Sequence, residues 1–252
     1  MAPDLNALGQ PIGRPVGDWV APVAPSREST AMSGRYCRVE ILNPDRHARD
    51  LFDANTADAD GRMWTYLPYG PFDRYDDYAS WVRTVCAKQD PLFHAIVDLA
   101  TNRAIGVASY LRIDPEAGSI EVGHIAYSPS LQHTTAATEA MYLMMQRAFE
   151  LGYRRYEWKC DSLNAASRAA AQRLGFSYEG VFRQARVTKG RNRDTAWFAV
   201  VDAEWPALDD AYRGWLDPSN FDADGRQRVG LSSLTQPILF KKDPAAAHAA
   251  ER

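Results

Sequence analysis

The chain has 252 residues, 46% of them hydrophobic and 24% charged, enough to bury a real core in one generous domain or in one domain with terminal additions. Its 29 lysines and arginines against 32 aspartates and glutamates leave a net charge of -3, which argues against a nucleic-acid binder that works by neutralising many phosphates. Cys37, Cys86 and Cys160 form no CxxC pair, so a dense disulfide framework and an all-cysteine zinc site are excluded and a reducing cytoplasm is expected.

Residues 1–33 are rich in proline and glycine and read as an extended arm, with Trp19 and Val20 the residues expected to dock on the body. The N-terminus lacks the basic start and apolar run of a secretory leader, so none is expected. No stretch approaches the roughly 20 apolar residues of a membrane helix. Tyr36 to Leu42 alternates as a first strand, and Asn43-Pro44-Asp45 caps a helix through about Asn55. Met63 to Phe72 is aromatic, proline-broken and irregular, and a helix is predicted from about Tyr75 to Ala87. Phe93–Leu99, Ala104–Ile113 and Ile120–Tyr127 then read as strands separated by turns, an antiparallel meander.

After Pro129 the period becomes helical, with Ala137, Met141, Met144, Met145 and Ala148 on one face and Gly152 as the stop. The methionines are expected in the core. Tyr156–Cys160 is a short strand, and Asn164 caps a helix that ends at Leu174-Gly175-Phe176. Tyr178–Thr188 and Thr195–Ala203 are long strands around a polar turn at residues 189–193. A helix near Pro206–Leu216 and a polar tail follow. A strand–helix–strand–helix run after a meander is an α/β or α+β pattern.

The stretch from His124 to Glu150 carries the chemistry. A strand leads through a short loop into a helix whose first turn is small and hydroxyl-bearing, and such a terminus offers free N–H groups and a favourable dipole to an anion such as a pyrophosphate. Many strand-to-helix turns bind nothing, so this feature needs company.

That company is a resemblance. Gln132-His133-Thr134-Thr135-Ala136-Ala137 is similar to the Gln/Arg-x-x-Gly-x-Gly/Ala loop of GNAT acyltransferases, and Thr138-Glu139-Ala140 continues it as in the RimJ/RimL-like, ribosomal-protein acetyltransferase branch. Asn164-Ala165-Ala166-Ser167 with Leu174-Gly175-Phe176 resembles that branch's Asn-x-x-Ser…Leu-Gly-Phe motif. Gly180 and Gly190-Arg191-Asn192-Arg193-Asp194 fit its closing hairpin. The resemblance implies the GNAT fold over residues 34–204, a mixed and mostly antiparallel sheet flanked by helices, with the arm before it and a helical extension at 205–252. It implies an enzyme that moves an acetyl group from acetyl-CoA to the primary amine of a protein N-terminus or a small molecule by direct attack. The other class of function is a non-catalytic acyl-CoA-binding or interaction module.

Site residues follow from the same resemblance. Ile125, Ala126 and Tyr127 at the strand end, the loop and helix start from Gln132 to Thr138, and Asn164 would hold the cofactor. The departure is Thr135, where the family has glycine; threonine removes backbone freedom and adds a hydroxyl. Ser167 is the implied donor to the leaving thiolate, with Tyr66 and Tyr69 as rivals. Glu121, on the strand beside the expected thioester, is the candidate general base unless an arginine on a neighbouring strand claims it, and His124 is the other candidate. Trp64, Tyr66, Tyr69 and Phe72 would build the acceptor side, or else form a lid over the sheet. Glu139 is assigned to dipole compensation alone. Asp58, Asp60, Asp73, Asp76 and Asp77 hint at a cationic acceptor but fit a solvated face better. Arg183, Arg186, Lys189, Arg191 and Arg193 read as a solvated hairpin, near either the CoA 3′-phosphate or an acidic partner. Trp205, Leu208, Tyr212, Trp215 and Leu216 form an apolar face that would pack on the body or make a homodimer.

Overall fold

The computed structural model describes residues 3–247. Two short strands, β1 (Asp4–Leu5) and β2 (Pro11–Ile12), pair in a separate ribbon. The main body follows as β3 (Met32–Ser33), β4 (Cys37–Ile41), α1 (Pro44–Asn55), α2 (Tyr75–Thr84), β5 (Leu92–Asp98), β6 (Arg103–Asp114), β7 (Ser119–Tyr127) and α3 (Thr135–Glu150). It continues with β8 (Arg155–Asp161), α4 (Ala165–Arg173), β9 (Ser177–Thr188), β10 (Arg191–Val201), α5 (Trp205–Leu216), α6 (Leu231–Thr235) and α7 (Pro244–Ala247). Eight strands form one sheet in the order β3-β4-β5-β6-β7-β8-β10-β9. Every neighbouring pair is antiparallel except β7 and β8. This is the GNAT fold, a mixed sheet flanked by helices.

Local chemistry sets the helix starts. Asn43 accepts from the N–H groups of Asp45 and Arg46, and Asn164 accepts from Ser167, so both asparagines satisfy donors that a helix start leaves open. The helix predicted to reach Ala87 stops at Thr84. The last hairpin also differs: β10 begins at Arg191, four residues before the predicted start at Thr195. Lys189 and Gly190 both take positive φ, as a two-residue turn that follows the strand twist requires, so Arg191 to Arg193 are free to pair before the register shifts at Asp194.

Alternation divides the sheet into two faces. Ile120 and Val122 of β7, Tyr156, Trp158 and Cys160 of β8, and Ala196 and Phe198 of β10 pack under α3 and α5 in the larger core, together with Met141, Met144 and Met145. Leu51, Tyr78, Val82 and Phe93 make the smaller core under α1 and α2 on the other face. Glu121, Glu157 and Lys159 alternate with the first set and therefore share that second face.

Both extensions are built into the body. In the arm, Trp19 donates from Nε1 to the Gly152 carbonyl at 2.9 Å, whereas Val20 is exposed. Arg27 holds the Leu42 and Cys86 carbonyls, and β3 joins the sheet edge beside β4. Leu208, Tyr212 and Trp215 are buried against the large core, which uses the apolar face of α5 on the body. The segment expected as a polar tail instead returns over α4 and β9. There Arg168 makes a two-pronged ion pair with buried Asp243, at 2.7 and 2.6 Å. Residues 1–2 and 248–252 of the expected arm and tail lie outside the described residues. Among the described residues no helix is long and apolar enough to cross a membrane.

Candidate active site

The parallel pair β7–β8 stays in register from Ser119 opposite Arg155 to Val122 opposite Trp158 and then parts. Beyond it, β7 carries an extra residue: Ser109 pairs with Gly123 and Val107 with Ala126, so His124 and Ile125 together oppose Ala108. This is a β-bulge, and His124 sits in it with φ of +50°, a left-handed conformation that non-glycine residues adopt only under tertiary constraint. Gly123 to Tyr127 thus pair with β6 on one side and have no β8 partner on the other. The predicted cofactor residues Ile125, Ala126 and Tyr127 are these.

Downstream, the chain turns into α3 through a loop that is tightly tied. Gln132 donates its amide to the Tyr127 carbonyl at 2.8 Å. Thr134 caps the helix, donating to the Leu131 carbonyl and accepting the Ala137 N–H at 3.1 Å. The N–H groups of Thr135 and Ala136 keep no intrahelical partner. With Thr134, Arg35, Tyr36 and Asp98 they line a depression of about 440 Å³. The left-handed residue of this loop is His133 (φ +61°), whereas Thr135 is the first helical residue. Threonine at 135 therefore meets no conformational obstacle. Ala137 and Thr138 do not face an anion: the Ala137 N–H is capped, and Thr138 is buried with its hydroxyl accepting from Arg173.

Asn164 and Ser167 stand across the opening on the β8–α4 side. The Asn164 oxygen is spent on the Ser167 N–H at 3.0 Å, which leaves its NH₂ group. Ser167 Oγ accepts the Trp158 indole N–H at 3.0 Å. Below it, burial pushes the Cys160 thiol up to about 11, partly offset by a hydrogen bond from Ser167. Burial likewise raises Cys37 and Cys86, so none of the three cysteines is poised as a nucleophile.

The two base candidates separate. Glu121 is buried and its Oε2 is shared by Arg112 and, at 2.9 Å, Lys159. The ion-pair alternative is the one found, with a lysine from β8 added. Lys159 also binds Glu157 at 2.5 Å, Glu157 binds Arg155 and Arg155 binds Glu179, an alternating ladder across the second face. Glu121 has no role there as a free proton acceptor. His124 is different. Its Nδ1 lies 3.2 Å from the Tyr69 hydroxyl, and burial first, then Arg112, Arg193 and Arg186, lower its pKa to about 4.

The aromatic segment also divides. Trp64 is buried and packs edge-on against Phe72, so those two belong to the lid over the sheet. Tyr69 faces His124, and Tyr66 donates to the Leu163 carbonyl at 3.2 Å, bridging toward the loop that carries Asn164. The predicted acidic hint dissolves: Asp60 and Asp76 pair with the local Arg62 and Arg74, and Asp58 accepts the Met63 N–H. Two features were not anticipated. Lys189, at the hairpin tip, donates to the Trp64 carbonyl at 2.8 Å, closing the second face over the cleft. Glu139, assigned only to the helix dipole, is a buried anchor that accepts the N–H groups of Arg35, Tyr36 and Cys37 at 2.7, 2.7 and 2.8 Å. The basic run itself was visible in the sequence, but its approach to His124 was not.

Comparison with known proteins agrees with this geometry. The family model for the acetyltransferase (GNAT) domain matches residues 38–177, more than half of the chain. A GCN5-related N-acetyltransferase from Brucella melitensis is 43% identical over 88% of this chain and 100% of its own, with a TM-score of 0.84. A GNAT-family acetyltransferase from Chromobacterium violaceum is 40% identical over 79% of this chain and 98% of its own, with a TM-score of 0.72. The acetyltransferase from Salmonella typhimurium that modifies the N-terminal serine of a 50S ribosomal subunit protein is 19% identical over 68% of this chain and 99% of its own. Its TM-score of 0.58 marks a shared fold. No curated protein matches the chain. A sheet that parts at a bulge beside a helix start, matched by a family model and by relatives above 40% identity, makes this chain a member of the GNAT acetyltransferase family and an acyltransferase.

Proposed function

We propose that the protein transfers the acetyl group of acetyl-CoA to a primary amine, on a protein N-terminus or a small molecule, by direct attack. The observation that carries this reading is the parting of β7 from β8 after Val122, with unpartnered β7 backbone on one side and Asn164 on the other. The residues present fit the cofactor. The open N–H groups of Thr135 and Ala136 would take its pyrophosphate, the Asn164 NH₂ its pantetheine arm, and the β7 edge its carbonyl.

Acetyl-CoA, when bound, supplies an acetyl carbonyl activated as a thioester. The amine arrives neutral from the side of Tyr66 and Tyr69 and attacks that carbon. A C–N bond forms, the C–S bond breaks, one proton leaves nitrogen and one is needed on sulfur. His124, uncharged at neutral pH, accepts the first, because nitrogen becomes strongly acidic once it has bonded to carbon. Ser167 donates toward sulfur from its place beside Asn164: its oxygen takes the Trp158 indole N–H, whereas Tyr66 spends its proton on the Leu163 carbonyl and Tyr69 faces His124. No buried thiol is available for a covalent acyl-enzyme.

The test is acetyl-CoA binding by calorimetry for the wild type, Thr135→Gly and Asn164→Ala, followed by thiol release with a panel of amines. Asn164→Ala is expected to weaken binding by about tenfold, and Thr135→Gly to change it little. Tight binding with no turnover of any amine would leave the acyl-CoA-binding module, and no binding in any form would remove the reading.

A further inference from the structure

The closing hairpin carries three buried polar atoms that nothing in the described residues satisfies: Arg193 Nε, Thr195 Oγ1 and Trp197 Nε1. They stand at alternate positions of β10, so their side chains leave the same face of the sheet. Trp197 fixes which face, because its ring covers Lys159 Nζ at 3.7 Å and it pairs with Lys159 across β8, as Thr195 pairs with Asp161. This is the face of Tyr69 and Glu121, away from α3. Thr195 is only 5% exposed. Unmet buried polar groups are rare in folded proteins, and a row of three marks a place where a ligand or ordered water completes the bonding.

Charge points to the ligand. Arg186 is the cross-strand partner of Arg193, so two guanidinium groups stand side by side on adjacent strands. Neither forms an ion pair among the described residues. Both reach His124 electrostatically together with Arg112, and Asp90 opposes them there. Arg112 is already engaged by Glu121, whereas Arg186 and Arg193 are not. Asp161, and more weakly Glu121, attract Arg193 but form no ion pair with it among the described residues, and two like charges side by side favour an anion that joins them.

We propose that Arg186 and Arg193, with Thr195 beside them, form an anion-recognition subsite next to His124, and that the acceptor is an amine carrying a carboxylate close to its nitrogen. A free α-amino acid offers such a group through its α-carboxylate, and a peptide N-terminus through an acidic side chain. The inference rests on the acetyl-transfer reading and names its acceptor class.

Two matched pairs of probes decide it: alanine against alaninamide, and Ala-Asp-amide against Ala-Asn-amide. Turnover is read by thiol release from acetyl-CoA, and binding of each N-acetylated probe by calorimetry. In at least one pair the carboxylate member is expected to have kcat/KM higher by about tenfold or more, expressed in KM. The pair that shows the preference identifies which carboxylate is read. Arg186→Gln and Arg193→Gln should each reduce the preference, the double variant should abolish it, and Arg193→Lys should keep part of it, which separates lost charge from lost folding. Equal or better use of the amide in both pairs, or a preference that survives the double variant, would overturn the proposal. If no probe is acetylated, the transfer reading fails for these amines and the binding arm still decides the subsite. Arginine-dependent binding of an N-acetyl acid keeps it, and its absence removes it.

Discussion

The Tyr69 ring lies parallel to the His124 imidazole, with centroids 5.6 Å apart and 12° between the planes, and its hydroxyl is 3.2 Å from Nδ1. Phe93 packs against the imidazole as well, tilted by 48° with centroids 5.1 Å apart. An imidazole so enclosed, with Arg112, Arg193 and Arg186 nearby, resists protonation, and its pKa falls from the usual 6.5 to about 4. Above pH 6.5 the group is neutral in both folded and unfolded chains and contributes no pH dependence. Between pH 6.5 and 4 the unfolded chain takes up the proton and the folded one does not, so stability falls as pH falls through that window. Urea midpoints of wild type and His124→Gln across pH 4 to 7 check this. The variant should show the shallower decline, with His94, also near 4, contributing equally to both. Parallel slopes would mean that His124 titrates normally.

Ser167 and Tyr69 make opposite predictions as the acid. Ser167→Ala should lower kcat by about a hundredfold, within the usual range for general acid catalysis, with KM for acetyl-CoA nearly unchanged. It also strips the Trp158 indole of its acceptor, at about 1 kcal/mol of stability, which a thermal melt would show. Tyr66→Phe should do little. If Tyr69→Phe carries the kcat loss and Ser167→Ala does not, the tyrosine is the donor.

Glu139 ties α3 to the start of β4. Its carboxylate accepts three backbone N–H groups, and Gly34 lies so close that an added Cβ would come within 2.2 Å of it. Glu139→Ala leaves those donors unmet and should cost about 3 kcal/mol or more. Gly34→Ala should destabilise as well, by displacing the carboxylate. Because Arg35 and Tyr36 line the depression at the α3 N-terminus, both variants should also weaken acetyl-CoA binding. Denaturant midpoints at the wild-type value would show that the anchor is dispensable.

The helix caps at Asn43 and Asn164 and the meander strands could be read directly because each rests on neighbours within a few residues. The loop from Gln132 to Ala136 is picked out by its resemblance to the family loop, and its cofactor role belongs to the proposed function. What escaped depends on distant partners. Glu121 and Lys159 are 38 positions apart, and only the parallel β7–β8 pairing brings them to 2.9 Å. The left-handed bulge at His124 has no local mark, since Gly123 beside it is the residue that composition would have chosen. Arg191 to Asp194 are polar and look like a turn, yet they belong to the strand, exposed at Arg191 and Asn192 and half-buried at Arg193 and Asp194, so no apolar pattern marks them.

Arg168 gives the strongest test of the returning tail. It lies on α4 directly after Ser167, binds buried Asp243 through two nitrogens at 2.7 and 2.6 Å, and donates a third bond to the Ser162 carbonyl at 2.8 Å. The tail therefore holds both the helix and the loop that carry Asn164 and Ser167. Asp243→Ala would leave a largely buried guanidinium without its counter-charge, a change that typically costs about 3–5 kcal/mol. Asp243→Asn should cost less, because an amide oxygen still accepts one bond. If the tail positions the site, Asp243→Asn at a temperature well below its melting point should raise KM for acetyl-CoA while kcat falls less. The contact is otherwise purely structural, and KM would then stay at the wild-type value in every variant that remains folded.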